Sequence, residues 1–138
     1  MIRNAFLVIA MLVATLAVAE DKKPTTEPIV QVTLTNDDKV EETGKGATKP
    51  TEVSSEKELE KAIKDEATRK KIAKELDLKE QVLLIFTWQG SGGDKLDYSV
   101  AESFPEQVKF TYKMGNTDDI RSHVKLYVLR KNVKWSVK

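Results

Sequence analysis

The sequence predicts an α+β fold: one or two N-terminal helices packed on an antiparallel β-meander sheet or small barrel of about five strands. Three observations carry this expectation. A helix-start signal opens helically spaced apolar residues between 55 and 76. An unbroken apolar run rich in β-formers follows at Val82–Trp88. Four further stretches then alternate apolar and polar residues as far as the C-terminal end, separated by Gly-, Asn- and Asp-bearing connections.

The helical part begins at Ser55-Glu56-Lys57-Glu58, the spacing of a capping box. In such a box the Ser hydroxyl accepts from the amide three residues on, and the Glu carboxylate reaches back. Leu59, Ala62 and Ile63 follow on one face. Asp65 is placed to cap a second segment carrying Ala67, Ile72, Ala73 and Leu76, so the stretch reads as two short helices, or one with a break near Asp65. The apolar stripes are narrow, as on a helix that covers one side of another layer.

Val82–Trp88 is the candidate central strand. Gln89–Asp94 is expected to be a loop, followed by strands over Leu96–Val100 and Val108–Met114, a second loop over Gly115–Asp119, a strand around Val124–Arg130 and a last one at Val133–Val137. In the strand around Val124–Arg130, Val124, Leu126 and Val128 share one face, with Tyr127 and Leu129 on the other. Short connections imply antiparallel neighbours. Upstream, Ile29–Thr35 suits a short strand, and the Gly-, Pro- and charge-rich stretch 36–54 reads as a linker. The expected organisation is therefore a signal peptide over 1–19, a flexible tether over 20–50 and a single α+β domain over 51–138.

The first nineteen residues follow the secretory pattern. Arg3 forms the positive start, Ala5–Leu16 the apolar stretch and Ala17-Val18-Ala19 a small-residue cleavage site before Glu20-Asp21. The apolar run falls short of the roughly 20 residues that span a bilayer, so the expectation is export to the periplasm or the extracellular space, with no membrane span after cleavage. Loss of Arg3 leaves 22 of the 23 basic residues against 22 acidic ones. That balance argues against a nucleic-acid partner, which calls for a basic excess. A length of 138 residues excludes a large catalytic scaffold such as a (β/α)₈ barrel, which needs about 250. The absence of Cys excludes disulfides, thiol chemistry and cysteine-based metal sites. No cofactor is expected.

Two loops hold the candidate binding residues. Trp88-Gln-Gly-Ser-Gly-Gly-Asp94 has three Gly in four positions, which permits close backbone approach to an anion or glycan, with Ser91 and Asp94 as polar groups, or simply serves a tight turn. It is not a phosphate loop, because Gly-Lys-Ser/Thr is missing, nor a nucleophile elbow, because position 89 is Gln. Gly115–His123 contributes Asp118, Asp119, Arg121 and the chain's single His, His123. One His beside loop carboxylates is not a metal-ligand spacing, and no metal is expected. Ser91, Asp94 and His123 supply the residue types of a hydrolytic triad without the surrounding motif. Trp88 and Trp135, with Tyr98, Tyr112 and Tyr127, form either a sugar platform or, as the strand positions favour, core packing.

Leu76-Asp-Leu78, the 88–94 stretch, Phe110-Thr-Tyr-Lys-Met-Gly115 and Thr117-Asp-Asp-Ile-Arg-Ser-His-Val-Lys-Leu126 together resemble small exported proteins of unassigned function from planctomycete-type bacteria, over about residues 55–138. The layout is also loosely similar to the C-terminal domain of the PrcB family of protease-complex subunits. The Thr-Gly-Gly-Tyr type of loop in that family stands here as Ser91-Gly92-Gly93-Asp94. The first resemblance implies no activity; the second implies a protease-partner role.

The leading expectation is a small exported non-enzymatic domain that binds another envelope protein or a small anionic or glycan ligand. Its rivals are a small hydrolase built on Ser91, Asp94 and His123, and a purely structural envelope protein. If the export reading is right, N-terminal sequencing of the chain recovered from the envelope or culture medium returns Glu20-Asp21 as the first residues. A chain still beginning at Met1 refutes it.

Overall fold

The structure is a computed structural model that describes residues 27–43 and 45–138. The signal-peptide reading and the start of the expected tether lie outside the described residues. Among the described residues there are nine elements: β1 (Ile29–Val32), β2 (Thr51–Val53), α1 (Glu56–Ala62), α2 (Glu66–Glu75), β3 (Gln81–Ser91), β4 (Lys95–Ala101), β5 (Gln107–Lys113), β6 (Ile120–Arg130) and β7 (Lys134–Val137).

The fold is α+β, but the strands form neither a single meander nor a barrel. They divide into two open sheets, of order β1-β6-β3-β2 and β4-β5-β7. The helices cover one face of the four-stranded sheet and the three-stranded sheet covers the other. Leu59, Ile63, Ile72 and Leu76 pack with Leu83, Ile85, Leu126 and Val128. On the opposite face Leu84, Phe86, Trp88, Tyr127 and Leu129 pack with Leu96, Val108 and Phe110. Phe86, Phe110 and Tyr127 meet there with ring centroids 4.9 to 5.8 Å apart. This double cover explains the unbroken apolar run in β3. Such a run is typical of parallel strands buried on both faces; here an antiparallel strand carries it because helices and a second sheet both lie on it.

The expectation of purely antiparallel neighbours fails at one pair. β5 and β7 run parallel, with Val108 opposite Trp135 and Phe110 opposite Val137. The short-connection rule applies to successive strands of one sheet. Between β5 and β7 the chain leaves the small sheet, runs the length of β6 in the large one and returns, so the direction is restored. The loop expected to start at Gln89 is also shorter. β3 stays paired with β6 as far as Ser91, opposite Ile120.

Both helix caps form where the sequence places them. Ser55 Oγ accepts from Glu58 N at 3.3 Å, and Asp65 Oδ2 accepts from Thr68 N at 2.9 Å and from Thr68 Oγ1 at 2.7 Å. The Glu58 carboxylate returns one residue further than the usual box, to Ser54 N and Oγ at 2.8 and 3.0 Å. Ile63 and Lys64 separate the helices, Ile63 with extended backbone at φ −128°.

The four-stranded sheet begins at Ile29, upstream of Thr51, where the sequence reading starts the domain. β1 pairs along its length with β6, Ile29 opposite Leu129 and Val32 opposite Leu126. The described residues of the 33–50 stretch contain no helix or strand but are tied to the core elements. Lys39 N donates to Thr68 Oγ1 at 2.9 Å and Thr43 N to Thr87 Oγ1 at 2.8 Å. Val40 packs against the helix-side core and Ala47 is buried in the other. The composition of this stretch reads as a solvated linker because few of its own residues are apolar; its acceptors belong to a helix and a strand far away in sequence.

Thr87 is buried, so Thr87→Val leaves the Thr43 amide without its acceptor. The expected cost is about 1–3 kcal/mol, read by urea unfolding, with faster amide exchange over 39–50. Leu84→Ala and Ile85→Ala, one in each core, should each cost about 2–5 kcal/mol in the same experiment. A site that tolerates the change within a few tenths of a kcal/mol contradicts the double-cover description.

Candidate functional site

The two candidate loops meet at one end of the sandwich, and the ladder decides this. The register of β3 with β6 runs from Gln81–Arg130 to Ser91–Ile120, and that of β4 with β5 starts at Lys95–Lys113. Residues 92–94 therefore carry the chain from the large sheet to the small one, and 114–119 carry it back beside them. Two sheet-to-sheet corners lie against each other.

Asp94 is the hub of this corner and is only 9% exposed. Its Oδ2 accepts from Trp88 Nε1 at 3.1 Å and from Tyr112 Oη at 2.9 Å, and its Oδ1 accepts from Gly115 N at 2.7 Å. These donors hold its carboxyl below the usual Asp value, the Gly115 amide first, and outweigh the opposing effect of burial. The same contact acts oppositely on Tyr112, whose hydroxyl is pushed up by burial and by the Asp94 charge. Gly115 has to be Gly: a Cβ there would lie 2.6 Å from Asp94 N and 2.6 Å from Gly93 Cα, both backbone.

Ser91 is equally committed. Its Oγ accepts from Gly93 N at 3.1 Å and Thr117 N at 3.0 Å, and lies 2.5 Å from Thr117 Oγ1. With two N–H groups on the oxygen, the Ser91 proton goes to Thr117 Oγ1. Thr117 in turn bonds Asp119, which is the largest cause of the lowered Asp119 carboxyl, followed by Arg121. Arg121 Nε stands 2.5 Å from Asp119 Oδ2. Gly92 N closes the corner by donating to the Asp119 carbonyl at 3.2 Å.

His123 stacks on Trp88 across the β3–β6 ladder, with centroids 4.7 Å apart and planes 12° from parallel. Its Nε2 is 2.8 Å from the Ser91 carbonyl oxygen. A carbonyl only accepts, so Nε2 carries the proton. The ring thus points at the Ser91 backbone and its hydroxyl is occupied elsewhere, while Asp94 serves Trp88, Tyr112 and Gly115. A Ser–His–Asp relay is not the geometry of this corner.

Of the sequence candidates, the structure brings Trp88, Ser91, Asp94, Asp119, Arg121 and His123 into one connected cluster. Trp88 is only 5% exposed, and its faces and edge meet His123, Tyr112 and Asp94, so it offers no open platform. Asp118 is exposed on the outside of the loop. Tyr112, Gly115 and Thr117 are members of the cluster that the sequence reading leaves out of the candidate site; the Gly between two polar loops was their only local signal. Outside this cluster, on the helix-side face of the ladder, Glu42 accepts from Ser122 Oγ at 2.5 Å and from Gln89 Nε2 at 3.1 Å. No signal near Glu42 in sequence could have found that contact. Among the described residues no three His, Asp or Glu side chains converge as a metal-ligand set, and no helix is long and apolar enough to cross a membrane.

A lowered folded-state value means that Asp94 adds stability above the ordinary Asp value of 3.8, and that this is lost as pH falls through the folded value. Thermal melts should therefore drop below about pH 4. Asp94→Asn should melt lower at pH 7 and with a shallower acid limb, not a flat one, because Asp119 and Asp65 are lowered too. Gly115→Ala should cost about 1–3 kcal/mol by forcing the corners apart. An Asp94→Asn protein with the original melting point and acid limb would dismiss the hub.

Comparison of the chain with known protein families, with curated proteins and with solved structures found no match.

Proposed function

We propose that this chain is a small exported binding domain without a catalytic role, and that it presents the 114–121 end of its sandwich to another protein of the cell envelope. The observation that carries this reading is the exposure of Met114 and Ile120, at 78% and 80%, on either side of a loop whose inner groups are fully engaged. A large apolar side chain on a mobile loop can fold back under cover. Here Gly115, Thr117 and Asp119 are anchored to the neighbouring corner, so Met114 and Ile120 stay in water. Apolar anchors flanked by charge, such as Asp118 and Arg121, match the composition of a protein-docking patch.

The hydrolase reading gains nothing from this corner. A nucleophile needs a free proton path to a base, and the Ser91 proton is directed to Thr117. A small anionic or glycan ligand would need the amides of Gly92 and Gly93, and these already donate to Asp119, Ser91 and Thr117.

A photo-crosslinking residue placed at Asn116 in the producing cell is expected to yield one discrete adduct. The adduct should vanish with Ile120→Asp, which leaves the melting point unchanged, and should be absent when the crosslinker stands at Glu60 on α1. The same adducts from both positions, or none from Asn116, rejects the docking role in favour of the purely structural one.

A further inference from the structure

The outward side of the three-stranded sheet is a lysine face. In β4, β5 and β7 one set of alternate residues turns inward: Leu96, Val108 and Phe110 lie in the core, with Tyr112, Trp135 and Val137 packed against it. The other set is exposed and carries Lys95, Lys109, Lys113 and Lys134, against the single carboxylate Asp97. Lys138 extends the pattern, since its N and O both bond to β5, at Phe110 O and Tyr112 N. The remaining outward side chains are Ser, Thr, Gln and Ala.

This concentration is not inherited from composition. The chain carries 23 basic and 22 acidic residues, and residues 56–80, the helical layer, hold eight of each. Nor is it only edge protection. Lysines on edge strands discourage sheet-to-sheet pairing, which accounts for Lys95 and Lys134, but Lys109 and Lys113 belong to the central strand β5. Lys95 and Lys113 are directly opposite one another, and like charges in that position destabilise a sheet. Asp97 relieves this little, 3.9 Å from Lys113 Nζ with both side chains well exposed.

The shape of the face selects among anionic partners. Aromatic stacking is how single-stranded nucleic acids are held, and every aromatic of this sheet sits on the inward set of positions. Lys109 and Lys113, four residues apart on one strand, are separated by roughly 13 Å. At physiological salt charges act over only about 8 Å, so all five lysines act together only against a surface that lies flush with the sheet. At the rim of the face, in the turn between β4 and β5, Phe104 is completely exposed. An aromatic ring in that position suits the headgroup level of a bilayer. Of the two acids in the same turn, Glu106 is taken up by Arg130, and Glu102 sets one opposing charge beside the ring.

We infer that the outer face of the β4-β5-β7 sheet is a docking surface for an anionic phospholipid bilayer, with Phe104 as its point of insertion. Lys95 and Lys113 border the 114–121 corner, but the inference does not depend on the function proposed for that corner. Each lysine brought to an anionic leaflet strengthens partitioning about fivefold.

The test is co-sedimentation of the protein, purified from its producing cells, with vesicles of phosphatidylcholine holding about 30 mol% phosphatidylglycerol. The expected result is association that weakens between about 50 and 300 mM salt. The triple variant Lys95→Gln, Lys109→Gln, Lys113→Gln should lose at least about tenfold in partitioning, and Phe104→Ser several-fold, both with unchanged melting points. An equal change of charge on the helices, Lys57→Gln, Lys61→Gln, Lys70→Gln, should leave binding intact. Three results overturn the inference: no association at low salt, an equal loss from the helix variant, or displacement from vesicles by soluble duplex DNA with DNA binding that survives Phe104→Ser.

Discussion

The eleven-pair ladder between β3 and β6 is the constraint on which the rest of the molecule depends. Its central part, Leu83–Trp88 in β3 with Leu126–Leu129 in β6, is buried on both sides, and each side faces a different partner. Odd-numbered β3 residues Leu83 and Ile85 meet the helices; even-numbered Leu84, Phe86 and Trp88 meet the second sheet. A one-residue slip would exchange the two sets and bring Thr87, which receives the Thr43 amide, to the wrong core. The register is therefore set by two cores and one polar tie at once. Edge strands β1 and β2 add to a frame already determined.

The same ladder places the corner. Because Ser91 and Ile120 are opposite, both sheet-to-sheet crossings leave from one end of the central sheet, close enough to share hydrogen bonds. Two adjacent turns rich in Gly would be mobile if each were satisfied by water. Asp94 removes that freedom by taking donors from β3, β5 and the far corner into one partly buried carboxylate. Ser91 and Thr117 repeat the device with hydroxyls. What remains outside is displayed on a rigid support, and this separates the inner polar cluster, which has structural work, from the outer side chains, which are available.

The charge pattern shows a similar division between composition and place. A balanced chain has no strong long-range field, yet alternation along three short strands sorts five lysines to one side. The mean charge of the chain therefore says little about any one face. The aromatic residues of those strands take the opposite side, where Phe110 is buried and Tyr98, though 41% exposed, leans on Phe110 and Tyr127, so that the lysine face is flat and basic with one ring, Phe104, at its edge.

Local order was legible from the chain itself. The caps at Ser55 and Asp65, the break between the helices, the strands from Gln81 onward and the division of β6 into two faces all follow from short-range spacing, because each rests on hydrogen bonds or packing within a few residues. The residue types of the corner were legible too, though not their roles: Trp88, Ser91 and Asp94 read as ligand groups until Tyr112, Gly115 and Thr117 stand beside them. Only the tertiary structure decided that the strands form two sheets, that β7 runs parallel to β5, that residues 33–50 are tied down by Thr68 and Thr87, and that five lysines share a face. The physical reason is the same in each case. Alternation says that a strand has two sides, but what covers each side is settled by residues far along the chain, from 24 positions for Phe86 and Phe110 to 100 for Ile29 and Leu129, whose contribution leaves no mark on the local pattern.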